Sequence, residues 1–589
     1  MTMRTVASVL AAYLLLGPAS ADWQFRSRTD LAPPRLNITI PATKDVEKGY
    51  LFVAPFAGYP DTPAEQHGPR QAGPYIFRDN GDLVWSGYGI YSIWSTNFQA
   101  ARWKGKDVLF SFEGDHNAGY GHGHGHITIM DQHYETIREL RAGNHKLVDK
   151  HEFHVVNEET GLIQIYQPVP RDLTAWGGSS EQQWIVDAII QGKPPLQPLD
   201  RFLPPPNQPT PFPELDIATG ALLFEWHSLD HVTPAEAVLP LNPGQAGSGY
   251  NSSDAWDYFH INSVDKDSAG NYLISARDAC AVHKINGTTG EIVWRLNGKK
   301  SSFAMGDNSE FCFQHHARWL QEDAGDGIEV LSLYDNSAHG TEHGSGREVH
   351  TAEESSGKIL RVDTNKWTAE LVHGYYPPKG HKLLSKSQGS TQVIPGSGNV
   401  VVNWGSEGAV TEYTRDGDVV FHAYMDSGDL GVGVENYRAF RFNWTGLPSE
   451  EPAVAALEGE DGTAVYVSWN GDTETAVWRF FEVTDGRGSR KFLGEVERTS
   501  FETKFAVPGK KRVGRVSAEA VDRLGHVLRV TQEVGVEPEV LPAKAKKTKS
   551  HGSEQSDVEG QRVLGDEASA TSRWEEYAIL KVFRIAKDL

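Results

Sequence analysis

The chain has 589 residues and a formal net charge of −22. That length calls for more than one packed core, and that charge excludes nucleic acid and anionic membrane surfaces as partners, because both reward basic patches. With 59 Gly, 16 Trp and 20 Tyr against 5 Met, the composition describes short aromatic strands and tight turns, so the expected fold is all-β.

Residues 1–21 read as a secretory signal peptide: Arg4 supplies the positive end, residues 6–16 the apolar stretch, and Ala19, Ser20 and Ala21 a small-residue cleavage site. The apolar run is shorter than the ~20 residues that span a bilayer, so the expectation is a secreted protein with no membrane span. Sequons at Asn37, Asn251, Asn286 and Asn443 fit that route. The two cysteines, Cys280 and Cys312, exclude a disulfide scaffold, and an oxidising compartment favours a single bridge between them.

A self-similar unit recurs through residues 22–448. Its clearest form is Gly-Asn-Tyr-Leu-Ile-Ser at 270–275, a second strand at 281–285, and Thr-Gly-Glu-Ile-Val-Trp at 289–294. The last strand returns at 80–85, 219–224, 356–360 and 416–421, with a degenerate copy at 134–140. Six copies, the later ones roughly 60 to 70 residues apart, predict a six-bladed β-propeller. Two stretches break the rhythm. Residues 194–213 are Pro-rich and predict an extended surface excursion. Residues 119–126, Gly-Tyr-Gly-His-Gly-His-Gly-His, have the composition of a metal-binding tract, but alternating glycines and the lack of a completing ligand set predict a rim loop instead. Short strands between polar turns at 463–469, 475–483, 503–507 and 512–522 predict a small immunoglobulin-like or fibronectin-III-like β-sandwich over 449–540. Residues 541–589 are low-complexity and polar, which predicts a largely disordered tail.

Polar residues interrupt β runs in three places: His151 and His154; Asp257, His260 and Asn262; and Gln314, His315 and His316. Inner strands of a propeller converge on one channel, so residues far apart in sequence can form one pocket there. His260 and Asn262 are two apart on a predicted strand and so share a face of it, and Arg277 ends the next strand. Arg, Asn and His together offer donors to a tetrahedral oxyanion. Three histidines can also hold zinc, but the paired Asn and Arg suit an anion better than a cation.

These residues resemble the arylsulfotransferase family that takes aryl sulfates directly as donors instead of a nucleotide-activated sulfate, and in particular its secreted eukaryotic branch. The resemblance rests on His-Glu-Phe at 151, Asp-Tyr-Phe-His-Ile-Asn-Ser-Val at 257–264, Gly-Asn-Tyr-Leu-Ile-Ser-Ala-Arg at 270–277, Gln-His-His-Ala-Arg at 314–318, Leu-Tyr-Asp-Asn at 333–336, Gln-Gly-Ser at 388–390 and Asn-Trp-Gly at 403–405. It implies a six-bladed propeller and places the transiently sulfated histidine on His315. The anion-holding residues then fall on His260, Asn262 and Arg277, and the histidine assisting the phenol oxygen on His151, with His154 as the substitute. The implied substrates are small phenols and aryl sulfates, with no cofactor and no metal. Two positions depart from the branch: His316 stands where Asp is common, and Asp278 where His is common. A non-catalytic ligand-binding propeller, and a tailoring enzyme using the same groups for acid/base chemistry on phenolic metabolites, are the alternatives.

Overall fold

In the computed structural model, residues 22–57, 69–91, 94–116, 121–191, 215–220, 222, 225–323, 325–340, 348–426, 433–484 and 489–539 are described. The expected signal peptide, the tail, the whole Pro-rich excursion and part of the repeat copy at 219–224 lie outside them.

The chain is all-β. Among the described residues, six antiparallel sheets of four or five strands occupy the stretch 37–442, one of them extended by a short parallel strand at its outer edge. The repeat unit reads directly onto one of them, in which Ile261–Lys266, Tyr272–Ala276, Ala281–Ile285 and Ile292–Leu296 are joined in sequence order. Apolar residues alternate toward cores between neighbouring sheets: Leu273, Val282, Leu296, Leu331, Leu333 and Leu360 fill one.

Each sheet presents one edge strand inward: Trp94–Trp103, Phe153–Val156, Ile261–Lys266, His315–Gln321, Ser390–Val393 and Phe440–Phe442. A buried ion network ties five of the six. Glu152 accepts from Arg438 Nη1 (2.9 Å), from Arg318 Nη2 (2.7 Å) and from the Val264 backbone N–H (3.0 Å). Arg438 also donates to the Asn97 side chain (3.1 Å) and the Asn262 carbonyl (2.7 Å). Burial opposes the Glu152 charge, but the two guanidiniums outweigh it and hold its carboxyl down at about 2. This convergence makes the architecture a β-propeller.

The ring is joined by strands from both ends of the repeat region. Asn37–Ile40 pairs with Val419–Tyr424 on one outer edge, and Phe440–Phe442 supplies the inner edge of the sheet built on Tyr50–Val53. Further along, two more sheets, one containing Ala453–Gly459 and Gly462–Ser468 and the other Val477–Thr484 and Arg515–Val521, enclose Val465, Val467, Trp478, Phe480 and Phe505 as a β-sandwich. Cys280 and Cys312 are disulfide-bonded. Among the described residues no helix is long and apolar enough to cross a membrane.

Candidate functional site

The predicted histidines gather at the N-terminal ends of the inward strands. His315 opens its strand, His260 stands one residue before Ile261–Lys266, and His151 two residues before Phe153–Val156. Strand alternation does not aim them. His260 has φ of 50° and His316 has φ of 56°, and the pairing register slips between Ile261 and Ser263 and between His315 and Arg318. The sequence argument that His260 and Asn262 share a strand face therefore does not hold, and local hydrogen bonds set each ring.

His315 is buried, and its Nδ1–H donates to Asn336 Oδ1 at 2.6 Å. The amide of Asn336 is oriented in turn by donating to the Ser385 carbonyl (3.1 Å) and the Gln388 carbonyl (2.8 Å). Two carbonyls on the nitrogen leave the oxygen for His315, which fixes the proton on Nδ1 and the lone pair on Nε2. That Nε2 accepts from the Gln388 backbone N–H at 3.3 Å. The turn carrying Gln388 needs Gly389: φ there is 115°, and a Cβ would fall 2.2 Å from the Tyr334 ring. Burial first, and then the Arg277 guanidinium, push the His315 imidazole well below its usual range, so it is neutral.

His260 and His151 stand with their rings 4.9 Å apart, each braced by an aspartate. His260 Nδ1 bonds Asp257 Oδ2 at 2.6 Å, and the His260 backbone N–H donates to the other oxygen at 3.0 Å. Burial works against a charged His260, but the charge and hydrogen bond of Asp257 overcome it and raise its pKa, while Asp257 itself is held far below the carboxylate range. His151 Nδ1 bonds Asp149 Oδ1, whose carboxyl is raised by burial. Burial, then the nearby His260, lower His151 well below the imidazole range. The two histidines thus carry opposite preferences: His260 toward the imidazolium, His151 toward the neutral ring.

Arg277 is 2% exposed, with its guanidinium 5.9 Å from the Phe313 ring centroid. It donates to Asp278 Oδ1 (3.2 Å) and to the Lys386 carbonyl (3.1 Å). Asn262 donates to the Gln314 carbonyl at 2.7 Å and so steadies the residue before His315. His316 bonds the Thr391 carbonyl at 3.1 Å and faces Phe440, away from the partners of His315. His154 pairs with Asp265 at 3.3 Å and makes none of the ring contacts that bring His151 to His260.

Sequence reasoning passed over His122. The rim-loop expectation for residues 119–126 does not describe its second half, because His124–Met130 is a strand. Its glycines serve close packing: a Cβ on Gly123 would meet the Asp115 carbonyl at 2.4 Å. His122 is buried, with its ring 4.0 Å from Tyr166 and 5.4 Å from His260. His122, Asp149 and His151 form one group able to hold a metal ion, and His122, Asp257 and His260 another, with the ligand atoms of each within 4.8 Å of one another. The 2.6 Å separation of Asp257 Oδ2 and His260 Nδ1 is that of a shared proton.

The arylsulfotransferase (ASST) family model matches residues 99–197 and 208–426. The chain belongs to this family. Aryl sulfotransferase activity is what membership in the arylsulfotransferase family indicates, with small aryl substrates. No curated protein matches the chain. Solved structures similar to it include a protein of unknown function from Bacteroides caccae (10% identity, 67% of this chain and 98% of that one, TM-score 0.34). The periplasmic gluconolactonase of Pseudomonas aeruginosa is another (13% identity, 78% and 100%, TM-score 0.31). Neither bears on the chemistry of the site.

Proposed function

We propose that this arylsulfotransferase moves a sulfuryl group from an aryl sulfate to a phenol through a sulfo-histidine at His315, using six propeller blades as its scaffold. The observation that carries this reading is the fixed tautomer of His315, neutral, with Nδ1–H held by Asn336 and a lone pair on Nε2. In the first half-reaction Nε2 gives up the long hydrogen bond from the Gln388 N–H and attacks sulfur, the S–O bond to the aryl group breaks, and the departing phenolate takes a proton from the His260 imidazolium. In the second half, a new phenol gives its proton to His151, its oxygen attacks sulfur, and the S–N bond electrons return to Nε2; the proton on His151 then passes back to His260, whose ring is 4.9 Å away, which restores the starting state. Arg277 and His260 face the sulfuryl oxygens, whose charge must be met in a loose transition state. The reaction so written uses no nucleotide donor and no metal. The disulfide and the exposed sequons at Asn37, Asn251 and Asn443 support export from the cell.

Purified protein incubated with a chromogenic aryl sulfate, with and without a phenol acceptor, tests this. Acceptor-dependent release that disappears in His315→Ala is expected. A folded protein that releases nothing from any aryl sulfate sinks the proposal and leaves a binding propeller.

A further inference from the structure

We infer that His339 is a further substrate-binding residue of this site, whose ring N–H donates to a sulfuryl oxygen of the aryl sulfate beside Arg277 and His260. This deepens the sulfotransferase reading and rests on it. The residue comes from the segment that also serves the nucleophile. Asn336 holds His315, and three residues later Ala338–His339 is a short strand paired with Val349–His350. The root of that segment is tied down: the Cys312 backbone N–H donates to Asp335 Oδ1 at 3.0 Å, and the Ser337 N–H donates to the Cys312 carbonyl at 3.0 Å. Cys312 is in turn bonded to Cys280, which follows the short turn Arg277–Ala279. The disulfide therefore joins the segment carrying His339 to the turn carrying Arg277.

His339 is fully buried, and among the described residues neither of its ring nitrogens has a hydrogen-bond partner. Its ring packs on Phe313 with 5.2 Å between centroids, and the Arg277 guanidinium lies 5.9 Å from the centroid of that same Phe313 ring. Burial first, then Arg277 and His260, hold the His339 imidazole well below its usual range, so it is neutral, with one N–H to give. The two side chains that act on it electrostatically are the two that face the sulfuryl oxygens. A buried N–H without an acceptor is costly, and the adjacent guanidinium rejects a metal cation as the missing partner. An anion held by Arg277 and His260 supplies the acceptor, and a hydrogen bond to a charged oxygen is the stronger kind.

The test uses the full chain as His339→Phe, which keeps a ring on Phe313 and removes both nitrogens, and as His339→Asn and His339→Gln, which return an amide N–H at the depth of Nδ1 and of Nε2. The probe is naphthalenesulfonate, whose sulfur–carbon bond bars transfer, and its binding is measured by calorimetry beside that of the uncharged naphthol. Sulfonate affinity should fall about tenfold in His339→Phe, the worth of one hydrogen bond to a charged group, while naphthol affinity stays within about twofold and one of the amide variants recovers most of the loss. In aryl sulfate cleavage, KM for the donor should rise by a similar factor and kcat should change less. The Tm of ligand-free His339→Phe should be no lower than that of the parent, because the substitution breaks no hydrogen bond. Sulfonate binding that is unchanged in folded His339→Phe overturns the inference, as does an equal loss for sulfonate and naphthol, or a loss that neither amide repairs. A lowered Tm with sulfonate binding intact marks a structural histidine and overturns it too, and so does a parent protein that binds no sulfonate. If the parent binds sulfonate but cleaves no aryl sulfate, the sulfotransferase reading fails, while the binding comparison still decides the role of His339.

Discussion

Replacing Asn336 with Ala removes the group that sets the tautomer of His315. The wild-type amide accepts from His315 Nδ1 at 2.6 Å and satisfies the Ser385 and Gln388 carbonyls. The variant leaves a buried N–H and two carbonyls without that partner and lets the imidazole exchange its proton between nitrogens. A hydrogen bond of this kind contributes about 1 kcal/mol net, and each buried group left unpaired costs about 1–3 kcal/mol. If 1.4 to 2.8 kcal/mol of that loss falls on the reacting lone pair, kcat drops about 10- to 100-fold, with stability lowered by a similar energy. Stopped-flow release of a chromogenic phenol measures the first half-reaction directly, and KM for the donor should change far less than kcat. Asn336→Asp supplies a contrasting signature: its carboxylate favours the imidazolium, so the acidic limb of the profile moves to higher pH. A folded Asn336→Ala protein with kcat within twofold of wild type at neutral pH would refute the tautomer argument.

Three further outcomes follow from the same geometry. Arg277→Met removes a cation that disfavours the His315 imidazolium, so the acidic limb of kcat/KM should rise; because burial is the larger cause, it moves only part of the way toward 6.5, and an unmoved limb would place Arg277 away from the nucleophile. Reducing the Cys280–Cys312 bridge, which spans a sequence separation of 32, should cost about 3–4 kcal/mol in the chain-entropy treatment and lower Tm in reductant, whereas Cys280→Ser should show no further response to reductant. His283 is buried against Phe259 with a pKa of about 3, below the unfolded value near 6.5. The folded form therefore binds fewer protons, and stability is lost as pH falls below 6.5. His283→Phe should remove that loss, so its advantage over wild type grows by about 2 kcal/mol between pH 7.5 and pH 5, measured by denaturant unfolding at both.

Much of the scaffold was legible because turn glycines and apolar alternation repeat in register with the strands: the run at 270–294 is three consecutive strands of one sheet. The site was legible only in part. His315, His260, His151 and Arg277 stand out because polar side chains in apolar runs need a reason. Asp257 and Asp149 were within reach of the same reading, three and two residues before the histidines they hold. Asn336 and Gln388 bond His315 from 21 and 73 residues away, pairings that no local pattern encodes. His122 was hidden by its glycines, which suggest looseness in a string of letters but allow backbones to touch in a packed protein. Strand alternation misled at His260, where a positive φ and a slip in register break the period.

The seam of the ring has a consequence in time. Tyr50–Val53 has no inner neighbour until Phe440–Phe442 arrives, and Asn37–Ile40 has no sheet to join until Val419–Tyr424 exists. During synthesis the first sheet must therefore wait, its inner edge bare, for nearly all of the propeller sequence to emerge. Glu152 likewise has only one of its two guanidinium partners, Arg318, until Arg438 is made. Pairings of such long sequence separation form slowly. A nascent chain of this kind depends on something to shield its open edge, and a truncation within the last repeat should leave an aggregating half-ring instead of a smaller propeller.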